Sequence, residues 1–480
     1  MNQDSVVVKK LVVQPVFVSL VHRNVFMGPC RYGAGEQLTY DYEKKQSMKT
    51  LDVFNGDLDQ YIDHDSVELL ETKYLEWHED FAVKEDYLND VLSNNDKVDV
   101  YLISGTRLIS YVSTIIAKKS HKPLAYCPLS NSHYSRLGGI DASAHLFALD
   151  DGYEVYNALN YDDLNRSFRI LRTRKALKNT KILFGLRNNV LSFGCVSSFI
   201  NLQDITNRFG TEIMHYNGLE FFKVLDQLDE NDLAEAKKIT DGLIQDANGI
   251  HMAAENMIND VKFYVAVKKV LKHFDCNAFT LPCFEMCATQ ELNKRELTFC
   301  LTHSLLKDEG IPSACAGDVG SVITIAILMN LAKKAPHMGN CMVMLDDMEH
   351  NSMRILHDVC SKYMKGFDQD ALPIDYVSFT KGNWGTTMRY DFAKDRSQNI
   401  TMINLNPKMD KIMIAKGTIT GCNDCLTPEC KHAITFTVKD SRDFHEKEAS
   451  FGHHFAWVYG DYVDDLIALA KTLGLGYVLA

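Results

Sequence analysis

The chain has no surplus of positive charge. Its 51 Lys and Arg stand against 63 Asp and Glu, a formal net charge of −12. Nucleic-acid surfaces and anionic membranes call for a basic footprint, so neither partner is expected. A long apolar run is also missing, since the longest, Val319 to Ala332, is too short for a bilayer, which takes about 20 residues. The apolar start, Val6 to Val21, is interrupted by Lys9, Lys10 and Gln14 and lacks a small-residue cleavage pattern, so no secretory signal is expected. The 13 cysteines are odd in number and spread without a small-scaffold framework, which points to free thiols in a reducing compartment. Gly28, Pro29, Gly33 and Gly35 form a glycine-rich loop, but their spacing fits neither a dinucleotide nor a P-loop fingerprint. Internal repeats and low-complexity tracts are absent. What remains is a globular cytoplasmic protein, and 46 % apolar with 24 % charged residues suits that class.

At 480 residues the chain should hold about three domains. Leu11 to Leu20 reads as a first strand, acidic helical segments follow to Asn95, and Val98–Ser104, Arg107–Lys118 and Pro123–Cys127 read as a βαβ unit. Arg166 to Thr180 is basic and helical, a crossover between domains. A second alternating series starts with strand Lys181–Leu186. It continues through helix Leu202–Phe209, strand Thr211–Tyr216, two helices within Glu230–Phe274 and strand Asn277–Pro282. After Cys341 the pattern changes to strand-like pieces separated by turns: Met342–Leu345, Met353–His357, Tyr376–Thr380, Thr386–Phe392, Ile400–Asn404, Lys411–Thr420 and Ala433–Val438. The end reads as strand Phe455–Tyr459, helix Asp461–Leu473 and strand Tyr477–Leu479. The expected architecture is α/β, with two doubly wound parallel-sheet domains (1–170 and 171–345) followed by a β-rich antiparallel or barrel domain (346–480).

The stretch from Cys283 to Leu331 carries most of the chemistry. The pattern predicts a helix over Lys294–Lys307 with Leu297, Cys300, Leu301, Ser304 and Leu305 on one stripe, and a short strand Ile311–Cys315. Val319–Leu331 is apolar nearly all round and predicts a buried helix. Asp318 then sits at a strand-to-helix switch, at the carboxyl end of a strand where α/β sheets bind ligands. An N-cap role and a ligand or base role are both open to it. Glu285 follows strand Asn277–Pro282 within Cys283-Phe284-Glu285-Met286-Cys287, neighbours that favour burial, and so it needs a metal or a pairing cation. His303, His357, His453 and His454 are further candidates. One imidazole with the two carboxylates would suit Mn²⁺ or Mg²⁺. Trp384 and Trp457 are candidates to stack on a ligand or to fill the core. Cys422, Cys425, Cys430 and His432 lie within eleven residues and form a candidate structural zinc loop, with free thiols or a redox pair as the competing readings.

The run from Cys283 through Asp318 to Leu331, the Met353–Cys360 stretch, the Gly382–Phe392 strand pair and the ending Gly452-His453-His454 with Gly460-Asp461 and Leu473-Gly474 together resemble the L-fucose/L-arabinose isomerase superfamily. The likeness is strongest to its L-fucose isomerase-related sugar isomerases. The resemblance implies two α/β domains followed by a β-rich domain, and a metal-dependent interconversion of aldose and ketose through an enediol. It also implies a Mn²⁺ held by two carboxylates and a histidine, and a homo-oligomer, trimer or hexamer. Matched by position, Asp318 falls on the family's carboxylate and His454 on its C-terminal histidine, with Glu285 at the other acidic position. His357, His303, His453 and Trp384 are then the residues expected to meet the sugar. Two departures stand out. Ala316 replaces a Glu, and Asp358-Val359 separates His357 from Cys360. Either Glu285 or His303 takes the missing role, or the chemistry is that of a lyase or epimerase on a modified or acidic sugar, or of a silent carbohydrate-binding relative.

Overall fold

The computed structural model describes residues 9–24, 29–78, 85–106, 109–126, 129–130, 134–148, 152–186, 200–343, 348–424 and 430–480. The chain forms two compact units, Lys10–Arg172 and the remainder from Thr173 to Ala480, and the division falls inside helix Tyr161–Lys178.

In the first unit strand Leu11–Leu20 is central and pairs in parallel with Val67–Leu69 and Lys73–Trp77 on one side and Val100–Gly105 on the other; Leu124–Tyr126 and Val155–Asn157 extend the sheet. Side chains alternate across a strand. Leu11, Val13 and Phe17 therefore join a core with Phe54, Leu58 and Phe168, while Val16 and Val18 join a separate one with Ile103, Val112 and Ile116. Two cores on two faces are what a doubly wound sheet requires. The acidic stretch before Asn95 is not wholly helical as expected: Val67–Leu69 and Lys73–Trp77 are strands. At three and five residues they are too short for an alternating pattern to show against their polar neighbours.

The second unit holds a four-stranded parallel sheet in the order Ser313–Ala314, Ala278–Thr280, Lys181–Leu186, Glu212–Asn217. Six antiparallel strands then close into a barrel: Asn399–Leu405, His454–Tyr459, His337–Met342, Ser352–Leu356, His432–Thr437 and Lys411–Asp424, which returns to Asn399–Leu405. Gly476–Leu479 adds in parallel to the start of Lys411–Asp424. The expected α/β plus barrel architecture is the observed one. The barrel's first strand is His337–Met342, earlier than the Met342–Leu345 segment read from sequence.

Helix Val319–Ala332 is buried over Val319–Leu331 and packs on the barrel strands His454–Tyr459 and Asn399–Leu405 and on Ser313–Ala314. A helix with no polar face can only sit between two layers. The expected helix Lys294–Lys307 is two helices, Glu291–Arg295 and Cys300–Asp308, with Glu296 at φ 50° between them. The break has a tertiary cause. Fully buried Asp260 accepts the Thr298 N–H at 2.7 Å through one oxygen and the Thr386 N–H and hydroxyl, each at 2.8 Å, through the other. Desolvation pushes this carboxyl up to about 7, against the pull of those hydrogen bonds. His303 is not half-buried as expected but fully enclosed, because helix Cys300–Asp308 is covered on every side through Lys307. Among the described residues, no helix is long and apolar enough to cross a membrane.

Asp260→Ala leaves two buried backbone N–H groups without acceptors and should cost roughly 3–5 kcal/mol of stability, at about 1–3 kcal/mol per unsatisfied donor. Urea unfolding checks this: the midpoint should fall with an unchanged slope, and a loss below about 1 kcal/mol would mean that Thr298 and Thr386 find other acceptors.

Candidate active site

Strand Ser313–Ala314 leaves the parallel sheet through Cys315, and the chain turns at Ala316 and Gly317, with φ 62° and 70°. Gly317 is required twice over: it takes the left-handed region, and a Cβ there would lie 3.1 Å from the Pro282 Cβ. Ala316 holds the same region with a Cβ and only 3 % exposure, a strain of about 1–3 kcal/mol placed beside Asp318. This is the position where the family resemblance calls for a Glu.

The turn delivers Asp318, 2 % exposed, to the start of helix Val319–Ala332. Its two oxygens do different work. Oδ1 accepts the Ser321 N–H at 2.9 Å and caps the helix, while Oδ2 lies 2.6 Å from His454 Nδ1. The cap that the sequence left open is therefore present, and the same carboxylate meets His454 through its other oxygen. With Nδ1 donating to the carboxylate, the lone pair of a neutral His454 ring is on Nε2.

His454 opens barrel strand His454–Tyr459 opposite Asn340. His453 lies alongside with ring centroids 4.4 Å apart, and the His357 ring is 6.0 Å from His454. Burial, with His454 as the next cause, brings His453 down to about 4, and burial with His454 and His303 holds His357 well below the ordinary histidine value. Both rings are neutral near pH 7. His357 follows strand Ser352–Leu356, and its segment is pinned from three sides. Lys307 Nζ donates to Pro336 O and Val359 O at 3.0 and 2.6 Å, Asp308 accepts the Lys362 and Tyr363 N–H groups, and Asp358 accepts those of Lys431 and His432. Desolvation lowers the Lys307 amine to about 8. Asp358, set aside in the sequence as part of an insertion, thus fixes the loop that holds His357; its adjacency to His357 was the one signal available.

The other candidates are spread more widely. Glu285 is half-buried in helix Cys283–Cys287, whose Phe284 is 53 % exposed. His303 Nδ1 bonds Ser313 Oγ at 2.7 Å and its ring stacks on Phe279; burial takes it down to about 3. Trp384 is half-buried in the hairpin between strands Asp375–Ser378 and Thr386–Arg389, and Trp457 is fully buried against His337 and Phe392. In the candidate zinc loop Cys422 lies 3.9 Å from His432 Nδ1, whereas Cys430 lies 3.6 Å from His357 Nδ1. Cys425 lies outside the described residues. Asp318 and His454 are donors of the kind that hold Mn²⁺ or Mg²⁺; among the described residues, no group of three or more His, Cys, Asp or Glu stands in a metal-holding arrangement.

No known family model matches the chain. Over 337 residues, 69 % of this chain and 71 % of the relative, it is 24 % identical to a sulfoquinovose isomerase of Priestia aryabhattai. The sulfoquinovose isomerase of Priestia megaterium (strain ATCC 12872 / QMB1551) matches over the same lengths at the same identity.

His453 should titrate near pH 4 in the folded protein. Its folded value lies below its unfolded one, so proton uptake favours unfolding: its contribution to stability is intact above about pH 6.5 and is lost as pH falls towards 4. His303, with a folded value of about 3, adds in the same direction. Imidazole proton resonances followed against pH test this, and a His453 midpoint at or above about 6.5 would contradict the burial described.

Proposed function

We propose that the chain is a sugar isomerase that interconverts an aldose and a ketose of a modified sugar through an enediol, at a site centred on Asp318 and His454. The observation that carries the reading is the 2.6 Å contact between these two residues. It unites a carboxylate after the end of a parallel strand with an imidazole at the start of a barrel strand, beside the neutral rings of His453 and His357. The relatives named as isomerases of sulfoquinovose support a modified sugar as the substrate class.

Isomerisation moves a proton between C2 and C1 while charge gathers on O1 and O2. Asp318 has one oxygen engaged by the helix cap, so it acts through Oδ2, the oxygen His454 orients. His453 and His357 are uncharged near neutral pH, so each offers one donor and one acceptor nitrogen to sugar hydroxyls. Glu285 is assigned with Asp318 to the proton transfer, one as base and the other as metal ligand. The donor set of carboxylate and imidazole suits Mn²⁺ or Mg²⁺, with Asp318 and His454 as two residues that would hold it. A bound cation would supply Lewis-acid stabilisation of the enediolate oxygens. His303 and Trp457, enclosed in the core, serve the scaffold in this reading.

Asp318→Asn keeps an acceptor for the Ser321 N–H and removes the charge. It should retain folding and lower kcat by about 10²–10⁴-fold, the usual weight of a positioned acid or base, measured by NMR on a panel of aldoses and ketoses. A variant that keeps kcat within about tenfold while folded would remove Asp318 from the chemistry. Chelation should abolish turnover and Mn²⁺ restore it; turnover that survives exhaustive chelation would sink the metal assignment.

A further inference from the structure

Cys283 and Cys315 occupy neighbouring chain ends. The parallel register Phe279↔Ser313 and Thr280↔Ala314 sends both segments off the sheet side by side, and Pro282 presses against Gly317. Cys315 is the first residue past its strand and Cys283 the first of helix Cys283–Cys287. Their sulfurs lie 3.8 Å apart, and a disulfide needs a closure of roughly 1.8 Å, to about 2.0 Å. Cys283 is half-buried and Cys315 is 3 % exposed, so Cys283 is the residue of the pair nearer to solvent.

We propose that Cys283 and Cys315 form a reversible thiol–disulfide site, oxidised by a low-molecular-weight disulfide. The Cys283 thiolate attacks one sulfur of oxidised glutathione, forming a mixed disulfide and expelling one glutathione thiolate. Cys315 loses its proton to solvent and attacks the Cys283 sulfur; the intramolecular bond forms and the second glutathione leaves as a thiolate. Two protein thiols are oxidised and one glutathione disulfide becomes two thiols. The new bond ties Cys283 to Cys315, the residue that leads into the Ala316–Gly317 turn presenting Asp318, so the redox state of the pair acts on the backbone that sets the Asp318–His454 contact. The chemistry of the thiols does not depend on the isomerase reading.

The full-length folded protein would be equilibrated across ratios of reduced and oxidised glutathione, alkylated, digested without reduction and mapped by mass spectrometry. The expected result is one linked peptide pair holding Cys283 and Cys315, with a loss of two alkylatable thiols per chain that dithiothreitol reverses. Cys283→Ser and Cys315→Ala should each abolish the link, and Cys287→Ser should leave it unchanged. A mixed disulfide that stops at Cys283, a link from Cys283 to Cys287 or Cys300, or thiols that stay free at the most oxidising ratio would each overturn the proposal.

Discussion

A buried carboxylate must be given partners, and the structure around Asp318 is organised by how it meets that demand. One oxygen satisfies the first turn of helix Val319–Ala332 and the other binds His454, 136 residues further along the chain. The helix has no polar face and lies between the parallel sheet and the barrel. Its N-terminus is therefore where the two layers come together, and the Asp318–His454 hydrogen bond ties the barrel strand His454–Tyr459 to it. The strained turn at Ala316 and Gly317 is tolerated because this packing over-determines it.

The surroundings keep His357 and His453 neutral near pH 7. His357 and His453 are held below their ordinary values chiefly by burial. The segment after His357 is fastened by Lys307, Asp308 and Asp358 through backbone hydrogen bonds rather than by flexible side-chain pairs. Such anchoring suits a site that must present several uncharged imidazoles to hydroxyl groups in a fixed arrangement. Cys430 joins this network through His357.

Much of the fold was legible because its signals are local. Barrel strands such as Asn399–Leu405, Ser352–Leu356 and His454–Tyr459 are short apolar-rich runs set off by turn residues and lie within one residue of their expected bounds, and Val319–Ala332 declared its burial by being apolar all round. Asp318 was legible as a residue of interest from its place after a strand. The rest depends on distant partners. Helix Lys294–Lys307 is broken because Asp260, 38 residues upstream of Thr298, captures its N–H. His303 is enclosed because neighbouring layers cover a helix whose own stripe suggested otherwise. The pairing of Asp318 with His454 is invisible to periodicity and entered through family resemblance alone, and the pairing of Cys430 with His357 cuts across the loop that spacing suggested as a zinc site.

Under the proposed function, the Asp318–His454 contact is a reacting centre and more than a structural joint. Solvent deuterium uptake into the sugar, followed by NMR in deuterated water for the folded wild-type protein and a folded His454→Gln variant, tests it most directly. The expected result is label at C1 or C2 of the interconverting sugar with wild type and its loss with His454→Gln. Equal label with both proteins, or no uptake by wild type from any aldose or ketose, would contradict it.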